Sequence, residues 1–392
     1  MSMAKAAETP REWPRLGLLW LLGIDLRLTI LAVPPVLPLI HHELHLNEKM
    51  VAALTGLPLL LFGIAAVPGS LLISRIGARR AVIVGIITVA VASALRGVGP
   101  SVPMLFLMTA VMGAGVAIMQ PALPTLVGLW FPGRIPLATA LYANGLLIGE
   151  MVAASITIPV VLPLLHGSWE ASFVFWSLPV LLTVFLVLVF TPHVEPPPQR
   201  KRALWWPDWH RLHTWQLGFV LGGTGALYFG GNAFLPDYLH AIGRPQLLNA
   251  VLTALNTGQL PASFLVMAFG RHLVGRRMPF VVMAMIGLAS LAGLLVPSSW
   301  VIVAAAGMIG FASASCLIMA LALPPLLARS DDVHRMAAGM LGLGYTITCL
   351  VPYAGGAIWD ALQVPQAALL PGAVGALIIG TVGATFRLDR GR

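Results

Sequence analysis

Three side chains stand out because of where they sit. Asp25, Arg27 and Glu150 lie inside long apolar runs, with Arg27 and Glu150 well away from the nearest polar loop. A charge at the centre of a lipid-spanning helix costs about 2.5–3.5 kcal/mol on insertion scales, so such residues usually face a cavity or a partner. Counted from Leu16 and Ile135, Arg27 lies roughly 16 Å and Glu150 roughly 22 Å along their helices, near the middle of a hydrocarbon core about 30 Å thick. A guanidinium keeps its charge and presents a planar fork that matches a carboxylate or another small oxyanion, which makes Arg27 a candidate ligand for an anionic substrate. Its other reading is a structural pair with a carboxylate. Asp25 and Arg27 are two residues apart and point to different helix faces, so Glu150 or a substrate is the better counter-ion. Burial and a nearby arginine push a carboxylate in opposite directions, so Glu150 is a candidate proton carrier, with a permanent ion pair as the alternative. Asp25 is a second coupling candidate, or a helix-packing group.

Uncharged groups at similar depth could orient a small ligand: Gln120, Asn144, Tyr228, Asn232, Asn256, Gln259 and Tyr345. Interhelical hydrogen bonds are the alternative for each. Gly145 and Gly149 form a small-xxx-small face suited to close helix packing. His41-His42-Glu43-Leu44-His45 is one residue short of the His-Glu-x-x-His spacing of zinc proteases. No metal site or cofactor is expected, and no phosphate loop, nucleophile elbow or nucleotide fingerprint is present.

The elements that position these groups follow from composition. The chain has 392 residues, 58% hydrophobic and 9% charged, with a mean hydropathy of +0.90. Ordinary soluble domains carry about 25% charged residues, so a water-exposed globular protein, a disordered chain and a disulfide scaffold are all excluded. Cys316 and Cys349 lie in apolar runs and read as small core residues. Twelve apolar stretches are long enough to be helical spans, at roughly 16–40, 50–74, 81–99, 103–130, 135–165, 171–191, 214–240, 247–270, 279–297, 299–328, 336–359 and 366–386. The first is too long for a signal peptide and has no cleavage site after it.

Basic residues fix an expected orientation. With the N terminus inside, 19 of the 23 fall on one side: Lys5, Arg11, Arg15, Arg75, Arg79, Arg80, Arg134, Arg200, Lys201, Arg202, Arg211, Arg271, Arg276, Arg277, Arg329, Arg335, Arg387, Arg390 and Arg392. Only Lys49, Arg96 and Arg244 fall on the other. The positive-inside rule then places both termini in the cytoplasm. The net charge of +9 reflects anchoring to anionic lipid rather than nucleic-acid binding.

The polar stretch from Thr191 to His213, with Pro196-Pro197-Pro198, divides the chain into six spans and six. The expected bundles are 1–191 and 214–392, joined by a cytoplasmic linker over 192–213. Trp205-Trp206-Pro207-Asp208-Trp209 would anchor that linker at the interface. The halves repeat: Ala122-Leu123-Pro124 recurs as Ala322-Leu323-Pro324, and Arg75 to Arg80 is echoed by His272 to Arg277. Paired repeats of this kind are a transporter architecture with a midplane site between halves.

With these features the chain resembles the major facilitator superfamily along essentially its whole length. The superfamily's loop between spans 2 and 3, Gly-x-Leu-Ala-Asp-Arg-x-Gly-Arg-Lys, is matched here over Ser70–Arg79 at Arg75, Gly77 and Arg79, which the resemblance implies are a cytoplasmic gating loop. Ser74 replaces the aspartate. Within the superfamily the chain is similar to the cyanate and nitroimidazole transporter family, at Asp25-Leu26-Arg27 (Asn-Leu-Arg in that family), Pro121-Ala122-Leu123, Phe131-Pro132 leading to Leu141-Tyr142, Leu235-Pro236, and Gly344-Tyr345 with Pro352 and Gly356. The resemblance implies an all-α membrane protein of two six-helix bundles, with spans 1, 4, 7 and 10 lining a central cavity. It further implies a monomer in the bacterial cytoplasmic membrane that moves a small anion, cyanate-like or a small carboxylate, with protons by alternating access. Export of a neutral heterocycle or drug is the second reading. The absence of a Gly-Pro pair beside Gly149 in span 5 weakens it. A membrane enzyme or sensor lacks the catalytic cluster or soluble domain it would need.

Overall fold

The computed structural model describes residues 12–46, 48–99, 101–190 and 204–386. Lys5, Arg11, Pro196 to Pro198, Arg200 to Arg202, Arg387, Arg390 and Arg392 therefore lie outside the described residues. The described chain consists of helices and short connections. In chain order the helical segments are α1 (Trp13–Glu43), α2 (Ala53–Ile64 and Ala66–Ile76), α3 (Ala78–Leu95), α4 (Val102–Trp130), α5 (Ile135–Leu164), α6 (Trp169–Phe190), α7 (Leu212–Ala241), α8 (Pro245–Leu273), α9 (Arg277–Gly293), α10 (Ser299–Leu327), α11 (Val333–Leu362) and α12 (Pro365–Thr385). Among the described residues nine of these are long and apolar enough to cross a membrane, or ten if the bent α2 counts as one span. The sequence expectation was twelve. Here α9 is shorter, at 17 residues, and α7 stands outside that group.

Prolines explain the irregularities. A proline nitrogen has no hydrogen to give the carbonyl four residues back, and its ring crowds that carbonyl. Pro34, Pro35 and Pro38 accompany a break in α1 near Ala32. Pro68 leaves the Ile64 carbonyl without its partner, where the two pieces of α2 meet at 50°. Pro159 lies in a π-helical turn of α5 at Thr157–Val161.

Packing repeats at an interval of six helices. The pairs α1–α5, α2–α4, α3–α4, α3–α6 and α1–α6 have counterparts α7–α11, α8–α10, α9–α10, α9–α12 and α7–α12. Between the two sets, α5 meets α8 and α2 meets α11, again a symmetric pair, while α4 also touches α11. The turns between α2 and α3 and between α8 and α9 each contain a glycine with positive φ, Gly77 at 83° and Gly275 at 79°, a conformation open to glycine without a Cβ penalty. The structural repeat thus aligns these turns at an offset of 198 residues, one more than the basic residues suggested.

The core is aliphatic and continuous, running through both sets of helices. The outer surface is apolar as well. Leu178, Leu182, Phe185 and Val189 form one exposed face of α6, as expected where the solvent is lipid rather than water. The α1–α5 contact is the closest helix pairing bearing on the site. A side chain at Gly145 would collide with the Trp20 carbonyl, and one at Gly149 with the Ile24 carbonyl. This backbone-to-backbone approach carries Glu150 in beside the turn of α1 that bears Arg27.

Candidate functional site

The charged residues of α1 part company according to helix geometry. Asp25 is fully buried, close to Thr183 of α6, and its Oδ2 has no hydrogen-bond partner. Arg27, 9% exposed, points into a cavity of about 470 Å³ including its open mouth. The lining comes from α1 (Arg27), α5 (Leu146, Glu150), α7 (Leu221, Thr224, Gly225, Tyr228, Phe229), α8 (Gln259), α10 (Ser313, Ala314, Leu317) and α11 (Tyr345, Thr348). Its makeup, mostly apolar with a few converging polar groups, is that of a ligand pocket.

Arg27 is held by neutral groups. Its Nη2 donates to the Tyr345 hydroxyl at 3.4 Å, and its guanidinium carbon sits 5.3 Å from the centre of the Phe62 ring. Phe62 and Tyr345 meet edge to face at 5.2 Å, so the two aromatics brace one another and the arginine together. Among the described residues, ion pairs join Arg211 to Asp208 and Asp332, Arg329 to Asp331, and Arg335 to Asp332, among others. None ties Arg27 to Glu150. The guanidinium therefore keeps donor capacity for a group in the cavity.

Glu150 is engaged from the opposite set of helices. The Tyr228 hydroxyl lies 2.8 Å from Glu150 Oε1 and 2.6 Å from Asn256 Oδ1. Asn232 supports this arrangement from below, its Nδ2 donating to the Tyr228 carbonyl at 3.0 Å. Ser313 faces the same cavity with its Oγ unpartnered.

The sequence-selected residues thus divide. Arg27, Glu150, Tyr228, Tyr345 and Gln259 line one cavity; Asn232 and Asn256 stand behind it. Asn144 does other work, accepting from Trp20 Nε1 at 2.9 Å and donating to Ser263 Oγ at 2.9 Å, which ties α1 and α5 to α8. Gln120 is half-buried and does not line the cavity, nor does any other described residue of α4, whose surface is taken up by α2, α3 and α11. Phe62 and Ser313 were not singled out in the sequence. Neither has a signal there, since one phenylalanine or serine in an apolar run looks like another.

At the end of the molecule that carries Arg75, Gly77 and Arg79, a separate polar cluster closes across the two sets of helices. Ser70 Oγ on α2 donates to the Trp205 carbonyl at 2.7 Å and lies 2.8 Å from His334 Nδ1 on α11. Arg335 pairs with Asp332 at 2.7 Å and donates through Nε to the Trp206 carbonyl at 2.8 Å. Ser74, where the superfamily has aspartate, bonds back to the Leu71 carbonyl of its own helix. The tryptophan segment is thus clasped through its backbone by both sets. Glu43, from the near-miss histidine motif, accepts from Trp169 Nε1 at 2.7 Å, a packing role.

Comparison with known proteins agrees with this architecture. The sequence model of the Major Facilitator Superfamily matches residues 19–245. The cyanate transport protein CynX of Escherichia coli (strain K12) is 27% identical over 351 residues, covering 86% of this chain and 88% of CynX. The 2-nitroimidazole transporter of the same organism is 26% identical over 382 residues, covering 95% and 94%. The crystal structure of the human organic anion transporter MFSD10 (TETRAN) superimposes with a TM-score of 0.75 at 14% identity, covering 96% of this chain and all of that one; at that identity the likeness is one of fold. The chain is a multi-pass membrane protein that belongs to the Major Facilitator Superfamily, a family of transporters and not of enzymes.

Proposed function

We propose that the protein is a secondary active transporter that carries a small anion, cyanate-like or a small carboxylate, together with protons across the bacterial cytoplasmic membrane by alternating access. The observation that carries this reading is Arg27: a guanidinium in a cavity, braced by Tyr345 and Phe62 and, among the described residues, in no ion pair with a carboxylate, although Glu150 shares the cavity. A lasting charge in a low-dielectric site without a fixed counter-ion favours a mobile one. Tyr228 and Tyr345 complete the substrate contacts; Asn144 and Asn232 act by supporting the helices around them, and Gln120 stands away from the cavity. Glu150 carries the proton, since it faces the same cavity. Asp25, turned toward α6, has no such opening.

The linkage has a definite sign. With Glu150 ionised, Arg27 and Glu150 leave the cavity neutral, and an added anion makes it negative. With Glu150 protonated, the anion and Arg27 cancel. Anion and proton therefore favour one another and travel in the same direction, and reciprocity between the two binding steps requires it.

The topology that serves this function has twelve spans in two bundles, 1–191 and 214–392, with the linker 192–213 and both termini in the cytoplasm. The basic end, with Arg75, Gly77 and Arg79, then forms the cytoplasmic gate, and the protein works as a monomer. The basic side of the positive-inside count and the six-helix repeat of packing pairs support this. A second reading, export of a neutral heterocycle, draws on the 2-nitroimidazole relative and on the apolar wall of Leu146, Leu221, Phe229 and Leu317.

The test is uptake into proteoliposomes under an inward proton gradient, with labelled cyanate, a panel of small carboxylates and 2-nitroimidazole as probes. Arg27→Ala is expected to abolish anion uptake while the protein remains monodisperse. Anion uptake that survives this change refutes the assignment. Uptake of 2-nitroimidazole alone, unaffected by Arg27→Ala, favours the second reading.

A further inference from the structure

The Tyr228 hydroxyl carries one hydrogen and touches two oxygens, Asn256 Oδ1 at 2.6 Å and Glu150 Oε1 at 2.8 Å. One hydrogen cannot serve both contacts, so one neighbour must bring its own. The carboxamide of Asn256 decides which. Its Nδ2 donates to the Leu252 carbonyl at 2.8 Å and faces Asn232 Oδ1 at 3.5 Å. Turning the amide over would set two oxygens against each other at the shorter of those distances. Asn232 cannot turn either, because its own Nδ2 is committed to the Tyr228 carbonyl. Asn256 thus presents an oxygen to Tyr228, and the tyrosine hydrogen must lie on that side. The hydrogen in the contact with Glu150 is then the carboxyl proton of Glu150 itself, donated to Tyr228 Oη.

We propose that Asn256, acting through Tyr228, is a positioning residue that holds Glu150 in its protonated form in this conformation and so leaves Arg27 as the uncompensated charge of the cavity. The inference rests on Glu150 as the proton carrier. The groups facing Glu150 that can charge or titrate are Arg27 from α1, Tyr228 from α7 and Tyr345 from α11; α8 and α10 present Asn256, Gln259 and Ser313, which do not. Asn256, Tyr228 and Asn232 belong to α7 and α8, whereas Glu150 belongs to α5. When the two sets of helices rock apart, Glu150 leaves its acceptor and its proton passes to water on the open side. The relay thereby makes the protonation of one set of helices depend on its register with the other.

The experiment needs no substrate. Infrared spectra of the purified full chain in lipid nanodiscs are recorded across pH, and the carbonyl stretch of a protonated carboxyl that disappears in Glu150→Gln is assigned to Glu150. The wild type is expected to show this band at neutral pH. Asn256→Leu frees the tyrosine hydrogen to turn toward Glu150, so the band should be lost at neutral pH. Asn256→Asp, which keeps an acceptor, should retain it. A wild type without the band overturns the proposal even if Asn256→Leu does not fold, and so does a folded Asn256→Leu with the wild-type band. Proton flux during cyanate uptake is measured separately. Coupled flux without the band refutes the relay alone, whereas the band without coupled flux refutes the transport reading and supports the relay.

Discussion

Ser70 offers the most direct test of how the basic end is held shut. It is fully buried, and its hydroxyl has one hydrogen, which goes to the Trp205 carbonyl at 2.7 Å. The 2.8 Å contact with His334 Nδ1 is then a bond in which the imidazole donates, so His334 carries its hydrogen on Nδ1 here. Ser70→Ala removes both bonds and leaves a carbonyl and an imidazole N–H facing a methyl group. A typical net value of about 0.5–1.5 kcal/mol for each bond gives a total of about 1–3 kcal/mol, and both bonds exist only while α2, α11 and the tryptophan segment are together. The equilibrium between closed and open forms of this end should therefore shift about 5- to 150-fold toward open. Amide hydrogen exchange of the peptides covering residues 66–76 and 333–341 reads this directly, as faster exchange in a protein whose other helices are unchanged. His334→Ala removes one of the two bonds. In the double variant the shift should fall short of the sum of the singles by about 1 kcal/mol, the coupling carried by the shared bond. Unchanged exchange in a folded Ser70→Ala, or strict additivity in the cycle, refutes the clasp.

Three further outcomes follow from the cavity and its frame. Arg27→Lys keeps the charge but loses the planar fork and the contact with Phe62, so the affinity for the best-transported anion probe should drop about tenfold, against about 100-fold or more for Arg27→Ala; calorimetric titration distinguishes them, and equal losses would remove the case for a fork. Asp25→Asn should leave proton-driven uptake intact while Glu150→Gln uncouples it, since only Glu150 opens onto the cavity; the reverse result would move the proton to Asp25. Gly149→Val drives a side chain into the α1 backbone at the Ile24 carbonyl and should cost about 1–3 kcal/mol as overpacking, seen as a lower unfolding temperature. Gly17→Ala meets nothing within 4 Å and should be neutral or slightly stabilising.

What the sequence disclosed and what it withheld divide along a physical line. Cost is legible. Arg27 and Glu150 stand out because hydrocarbon penalises them, and the structure brings both to one cavity. Gly145 and Gly149 are also legible, because their spacing describes a helix face that a neighbour's backbone can approach. Rotation is not legible. A span that is apolar on every side carries no moment to show which way it turns, so Asn144 could not be told from Gln259 in advance. One ties α1 and α5 to α8 and the other lines the cavity. The bent α2 and the π-helical turn of α5 have visible causes in Pro68 and Pro159. How far each helix yields is set by its neighbours, as α4 shows by staying continuous through Pro121 and Pro124.

Charge and geometry at the two ends of the cavity meet in one consequence. Arg27 belongs to α1 and Glu150 to α5, two helices locked together by glycine contacts, so these groups move as one body. Their partners differ in kind. Tyr345 and Tyr228 stand on α11 and α7, the corresponding locked pair of the other repeat. The ionisable groups thus sit on one repeat and the hydroxyls that meet them on the other, across the seam along which the two would rock. An ion pair spanning that seam would have to be broken in every cycle, and buried charges parted from their partners cost about 3–5 kcal/mol. Hydrogen bonds to hydroxyls, at about 0.5–1.5 kcal/mol between neutral groups and about 1.5–3 kcal/mol from the Arg27 guanidinium, can be exchanged for an anion, a proton or water at a lower cost than parting a buried ion pair. A seam closed by tyrosines can open on either side at a comparable cost, which is what a carrier cycling between two faces requires.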